Sequence, residues 1–267
     1  MNEYLFPVLI FLGLGALAGI LLLIASKVLF VQTDETVEKI KEVLPGANCG
    51  GCGFSGCEGY AKAVAEGRAD VNLCKPGGAD VMSAVSEIMG VAAGEFVREV
   101  AFVRCNGACG ATDDKYTYTG SASCTAVERF YNGKGDCRFG CAGLGDCIKV
   151  CDNNAIRIEN GVAVVNPVLC QGCGKCVKEC PNHLIFMRKE TSLVALRCSS
   201  HDIGKVTRTV CKNGCIACKM CEKKCPNGAI KVSDNRAEID YSLCTSCGAC
   251  ADGCPMKCLV KIPACAE

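Results

Sequence analysis

Two stretches, "CQGCGKCVKECP" at 170–181 and "CTSCGACADGCP" at 244–255, each set four thiols within eleven positions and close on proline. They share C-x2-C-x2-C-x3-C spacing and lie 74 positions apart. A secreted protein stapled by disulfides spreads its cysteines to close loops and starts with a cleavable signal peptide. Here neighbouring thiols point towards one centre, which suits a metal cluster in a reducing compartment. The chain has 27 cysteines in 267 residues, so this chemistry dominates it. Its two histidines, His183 and His201, argue against haem and against mixed Cys/His zinc fingers. There is no tryptophan. Cluster-rich domains manage with thin cores because metal–thiolate bonds supply folding free energy. The formal net charge of +1 carries no nucleic-acid signature.

"YLFPVLIFLGLGALAGILLLIAS", Tyr4 to Ser26, runs 23 residues without a charge. As a helix it would measure about 34 Å against a hydrocarbon core of about 30 Å. A signal peptide would open with a basic region and have a shorter apolar stretch; this segment has Glu3 instead. The expectation is a single transmembrane anchor over 1–31. Lys27, Lys39 and Lys41 follow the span and no Lys or Arg precedes it. Positive-inside bias therefore places the rest of the chain on the cytoplasmic side of the cell membrane.

Residues 33–44, "TDETVEKIKEVL", read as a short amphipathic helix, with Thr33 or Asp34 as its cap and Pro45-Gly46 as its stop. Cys49, Cys52, Cys57 and Cys74 then give C-x2-C-x4-C-x16-C. Glycines between them let the backbone wrap closely and free its amides to bond sulfur. A zinc ion can also be held by four cysteines, but a tight three-Cys loop with a distant fourth ligand favours [4Fe-4S]. Residues 58–66 and 79–90 read as helices, 96–105 as a strand, and the first cluster domain as 32–100.

From about 124 the chain copies itself. Cys124, Cys137, Cys141, Cys147, Cys151, Cys170, Cys173, Cys176 and Cys180 map at the same offset onto Cys198, Cys211, Cys215, Cys221, Cys225, Cys244, Cys247, Cys250 and Cys254. Nine cysteines in one register mean two copies of one module, over 137–188 and 189–267, with 101–136 as a linker. Each contains a hairpin, at 155–166 around Asn-Gly and at 229–240 around Asp-Asn.

This arrangement resembles the two-cluster bacterial ferredoxin fold, in which three cysteines of one run share a cluster with the last cysteine of the other. The fold class expected is α+β: a membrane helix, a small helical [4Fe-4S] domain and two tandem ferredoxin-like modules. The resemblance implies one cluster on Cys151, Cys170, Cys173 and Cys176, and its copy on Cys225, Cys244, Cys247 and Cys250. It implies another on Cys215, Cys218, Cys221 and Cys254. The first module departs from the pattern, because Leu144 stands where the copy has Cys218, and Asp152 where the motif expects proline. Its remaining cluster is expected to recruit Cys137 beside Cys141, Cys147 and Cys180, which leaves Cys211 an open rival to Cys218. Seven cysteines remain: Cys105, Cys109, Cys124, Cys198, Cys211, Cys258 and Cys265. Five [4Fe-4S] clusters are expected, with a sixth on Cys105, Cys124, Cys198 and Cys211 as an open alternative.

Several clusters beside a membrane anchor read as a wire for one-electron transfer. No Rossmann glycine loop, P-loop or catalytic triad stands out, and two histidines leave little general-base capacity. Lys175, Lys178, Lys219, Lys223 and Lys224 surround the cysteine runs, either as a soluble face or as a rim that steers an acidic ferredoxin. The N-terminal helix, the C-x2-C-x4-C-x16-C group, "GDCIKVC" and "NGCIACKMCEKKCP" together resemble the B subunits of the Rnf complexes, of the longer clostridial type. The resemblance implies a subunit of a membrane-bound ferredoxin:NAD+ oxidoreductase that couples electron flow to Na+ or H+ transport. Soluble ferredoxin would be its donor, and the complex's other subunits its acceptors and the carriers of nicotinamide and flavin. Two other classes stay open: a redox sensor or reductant of a regulatory protein, and an iron–sulfur subunit of another membrane oxidoreductase.

Overall fold

Why a chain this thin in aromatics holds together is visible in where its elements sit relative to the thiols. The computed structural model describes residues 2–28 and 34–262, with side chains in the first stretch described at 9–24. Cys265, Thr33 and the end of the expected anchor lie outside the described residues. Helix α1 runs Asn2–Val28, and Leu9, Phe11, Leu12, Leu22 and Leu23 along it are exposed. Among the described residues no helix is long and apolar enough to cross a membrane.

Three helices form the first cysteine domain. Helix α2, Glu35–Val43, is capped by Asp34, whose carboxylate accepts from the Thr36 N–H at 3.0 Å. Its Ile40 and Leu44 pack on Tyr60, Ala61 and Val64 of α3, Cys57–Ala65, and on Val85 of α4, Gly78–Met89. Gly90 stops α4 in the left-handed conformation at φ +64. The Tyr60 hydroxyl donates to the Asp70 carbonyl at 2.9 Å, which holds the loop leading to Cys74 over the helices.

Strand β1, Glu99–Val103, follows, then helices α5, Cys124–Tyr131, and α6, Asp146–Lys149. The first hairpin is β2, Ile156–Glu159, with β3, Val162–Val165. Helix α7, Lys175–Glu179, and strand β4, Ile185–Lys189, complete the first module. The second contains β5, Val194–Leu196, α8, Gly204–Val210, and α9, Met220–Lys224. It continues with the hairpin of β6, Ile230–Ser233, and β7, Arg236–Ile239, then α10, Ala249–Asp252, and β8, Leu259–Lys261.

Both hairpins stand where the alternation and turn residues predict them. The other two pairings join distant segments: β1 runs antiparallel to β4 with Val103 opposite Ile185, and β5 antiparallel to β8 with Leu196 opposite Leu259. The strand expected to close the first domain is thus an edge of the first module's sheet. After each edge strand the chain makes the same bond: Arg104 N–H to the Leu184 carbonyl at 2.8 Å, and Arg197 N–H to the Cys258 carbonyl at 2.7 Å. Leu184 and Cys258 are repeat partners, so the backbone equates Cys105 with Cys198. The first module carries 19 more residues between that cysteine and its first run. Part of this insert leans on the second module, where Thr112 Oγ1 donates to the Val210 carbonyl at 2.7 Å and Lys212 N–H to the Ala111 carbonyl at 2.8 Å.

Candidate iron–sulfur sites

Short helices carry the thiols, and each serves two sites. In α7 Cys176 points to one group and Cys180, at the helix end, to another. Cys221 and Cys225 do the same on α9. That exchange follows from spacing: a C-x3-C step lets one helical turn intervene between the two thiols.

Cys176 lies within electrostatic reach of Cys170, Cys173 and Cys151, as the ferredoxin pattern implies. Cys225, Cys244, Cys247 and Cys250 line one cavity, and Cys49, Cys52, Cys57 and Cys74 another. A further cavity is lined by Cys215, Cys218, Cys221 and Cys254, with Cys258 as a fifth thiol. Cys211 is not in that wall. In the first module the structure differs from the sequence expectation. Cys141, Cys147 and Cys180 share a cavity with Cys124, not with Cys137. Cys137 instead faces Cys105, Cys211 and Cys198, so the open sixth group has Cys137 where Cys124 was expected.

Local chemistry explains the exchange. Leu144 removes the thiol that the second module has at Cys218, and the inserted segment brings Cys124 into the gap. Ser123 caps α5, its hydroxyl accepting from Ala126 N–H at 3.3 Å. The buried carboxylate of Asp146, beside Cys147, accepts from Ser123 Oγ at 2.9 Å and from Thr125 N–H at 3.0 Å. Burial alone would raise the Asp146 carboxyl, but bonds from Thr125 N–H, Lys149 and Ser123 outweigh it and hold it below the usual carboxylate range. Asp146 was missed by sequence reasoning; the signal for it is a lone Asp inside the irregular "GLGDC" that replaces a cysteine run.

Backbone amides converge on the sulfurs. The N–H of Ala101 donates to Cys170 at 3.4 Å, Ala155 to Cys151 at 3.4 Å, Leu184 to Cys180 at 3.4 Å and Ala229 to Cys225 at 3.2 Å. Burial pushes the thiols of Cys147 and Cys176 up to about 12 and Cys221 up to about 11. Cys254 goes the other way, to about 5, because of its hydrogen bond with the Cys258 thiol, sulfur to sulfur at 3.5 Å. All-thiol donor sets lining cavities and bonded by amides fit iron–sulfur clusters. Among the described residues no group of three or more Cys, His, Asp or Glu is set to hold a single metal ion.

The groups also adjoin one another. Cys49 lies within electrostatic reach of Cys173, and Cys147 within reach of Cys176. The first domain abuts the first module closely here, since a Cβ on Gly51 would stand 2.7 Å from the Cys173 carbonyl oxygen.

Residues 44–76 match an Fe-S cluster family, and residues 169–231 and 214–259 match families described as 4Fe-4S dicluster domains. Fold, thiol groups and these matches define an iron–sulfur protein of the dicluster ferredoxin class. Three relatives extend over nearly the whole chain. One is the B subunit of the ion-translocating oxidoreductase complex of Methanosarcina acetivorans, 44% identical over 92% of this chain and 93% of that protein. The second is the B subunit of the Na(+)-translocating ferredoxin:NAD(+) oxidoreductase complex of Acetobacterium woodii, 42% identical over 97% and 78% respectively. The third is the B subunit of the proton-translocating ferredoxin:NAD(+) oxidoreductase complex of Clostridium ljungdahlii, 36% identical over 96% and 91%. The chain belongs to this family, the B subunits of ion-translocating oxidoreductase complexes.

Proposed function

We propose that the chain is the electron-relaying subunit of a membrane-bound ferredoxin:NAD+ oxidoreductase whose electron flow drives Na+ or H+ transport. The observation that carries this reading is the contiguity of the thiol groups. Bound clusters would supply reversible one-electron chemistry, with potentials set by hydrogen bonds to sulfur, burial and net charge. The chain's part is to hold them in sequence and keep water away. The assigned groups are Cys49, Cys52, Cys57 and Cys74; Cys151, Cys170, Cys173 and Cys176; Cys124, Cys141, Cys147 and Cys180. In the second module they are Cys215, Cys218, Cys221 and Cys254, then Cys225, Cys244, Cys247 and Cys250. The domain division is 1–31, 32–98, a first module over 99–188 that takes in β1 and the linker expected at 101–136, and a second module over 189–267.

Electrons enter at the second module. Cys218 is exposed there, and beside it Lys219, Lys223 and Lys224 are exposed and, among the described residues, form no ion pair. Lys175, by contrast, is bound to Asp152 at 2.6 Å and Lys178 reaches the Gly50 carbonyl at 3.4 Å. A free basic rim steers an acidic ferredoxin and raises its association rate. Exit is through the first domain, which follows α1. The exposed apolar side chains of α1 and the uncharged run around them support a single membrane span there, with the cysteine-rich body on the cytoplasmic side.

The test is anaerobic mixing of the loaded full-length chain with reduced ferredoxin. Cluster absorption should bleach rapidly, and reversing the charge of Lys219, Lys223 and Lys224 together should slow it about tenfold at low salt. Bleaching by dithionite but not by ferredoxin would assign the chain to a different donor.

A further inference from the structure

Four of the cysteines left over by the five assigned groups meet between the modules. Cys137 is within electrostatic reach of Cys105, Cys211 and Cys198, and the last two are within reach of each other. All four line one cavity of about 220 Å³. Cys105, Cys198 and Cys211 are buried. Cys109 lines the same cavity, but it is exposed and lies against Gly161.

We propose that Cys105, Cys137, Cys198 and Cys211 hold a further [4Fe-4S] cluster that joins the two modules. The inference rests on the cluster-wire reading above and extends it. Three independent features support it. The first is equivalence. Cys105 and Cys198 follow matching edge strands, and Cys137 and Cys211 open matching C-x2-G-C segments ahead of each first run. Each module thus contributes the same pair, and two such pairs facing across an interface make a four-thiol set that neither module has alone.

The second feature is how the sulfurs are bonded. Each accepts an amide N–H from the residue two positions on: Gly107 to Cys105 at 3.4 Å, Phe139 to Cys137, Ser200 to Cys198 at 3.5 Å, and Asn213 to Cys211. The same bond recurs at assigned ligands, from Gly143 to Cys141, Lys175 to Cys173, Ala217 to Cys215 and Ser246 to Cys244. Amide donation of this kind stabilises the negative charge that a thiolate carries when it binds iron.

The third is position. The Cys105 sulfur accepts from Cys141 N–H at 3.4 Å, and the Cys198 sulfur from Cys215 N–H at 3.2 Å. Cys141 and Cys215 are repeat-matched ligands of the flanking groups in the two modules. Asn213 Nδ2 donating to the Asn106 carbonyl at 3.0 Å and Arg197 Nε to the Cys105 carbonyl at 3.2 Å clamp the interface around them. The step asked of the site is a one-electron transfer, in from one flanking group and out to the other, with no bond made or broken. The site would shorten the step between the two flanking groups.

Iron and acid-labile sulfide counts on the anaerobically loaded full-length chain, with EPR of the reduced protein, test the proposal. The wild type should hold about 24 of each, and Cys198→Ser/Cys211→Ser about 20. Cys105→Ser/Cys137→Ser, which disarms the site from the other module, should lose the same four and the same EPR component. Cys109→Ser should lose none. A wild type near 20, or both double variants keeping the wild-type count, would overturn this site and leave the five-cluster wire standing. Zinc with little sulfide in the wild type would overturn the wire itself, and this site with it.

Discussion

At the scale of single residues the chain shows how one lost thiol is replaced. Leu144 takes the place that Cys218 has in the second module, and Cys124 makes up for it from an inserted segment. Cys124→Ser should therefore cost about four irons per chain, and Leu144→Cys in that background should restore them; metal analysis of the two variants checks both. The exchange was hidden because the constant offset maps Cys124 onto Cys198. Sequence register and backbone position disagree at this point, since the backbone equates Cys198 with Cys105. Cys258 is a second residue of this kind. Its thiol shares a hydrogen bond with the Cys254 sulfur, and a donor to a ligand sulfur stabilises the more negative reduced state. Cys258→Ala should keep all the iron but lower one cluster's potential, by roughly tens of millivolts, in an EPR-monitored titration.

Elements are held in place by a few polar groups rather than by large cores. Asp146 fixes α5 against α6 through Ser123 and Thr125. Asp146→Asn should destabilise the loaded chain by about 2 kcal/mol, read in denaturant unfolding. Its carboxyl sits below the usual range in the folded chain. Its contribution is therefore fully present above the ordinary carboxylate pKa of about 4 and is lost as the pH falls through the folded value. Gly172 shows the other constraint: it has φ +70, and a Cβ there would stand 2.6 Å from the Glu99 carbonyl oxygen of β1. Its repeat partner Ser246, at φ +58, instead has room for a hydroxyl that accepts from Leu193 N–H at 3.0 Å. Gly172→Ala should cost about 1 kcal/mol or more, while Ser246→Ala loses one hydrogen bond. Helices α2, α3 and α4 and both hairpins were legible in the sequence because caps, apolar spacing and Asn-Gly or Asp-Asn turns are local signals. The β1–β4 and β5–β8 pairings were not, because alternation marks a strand without naming its partner, and Val103 lies over 80 residues from Ile185.

Across the whole molecule the proposed relay runs from an exposed basic end in the second module to the domain that follows α1. Its proposed direction and anchor are argued from charge and hydropathy, and its proposed continuity from which cysteines face each other. Most of the thiol neighbourhoods coincide with those that the ferredoxin resemblance implies. The exceptions, Cys124 and Cys137, lie where spacing is irregular and an insert decides. Burial pushes Cys137, Cys147 and Cys176 each up to about 12, and iron binds thiolates, so loading releases protons. Iron uptake by the empty chain should therefore be slower and less complete at pH 6 than at pH 8, as followed by cluster absorption.

The central claim, that this chain relays single electrons along bound clusters, is tested most directly by anaerobic reductive titration of the loaded full-length protein. The prediction is about one electron taken up per four irons, in overlapping steps at low potential, with each step carrying an iron–sulfur EPR signal. A chain that holds its metal but takes up no electrons would contradict it.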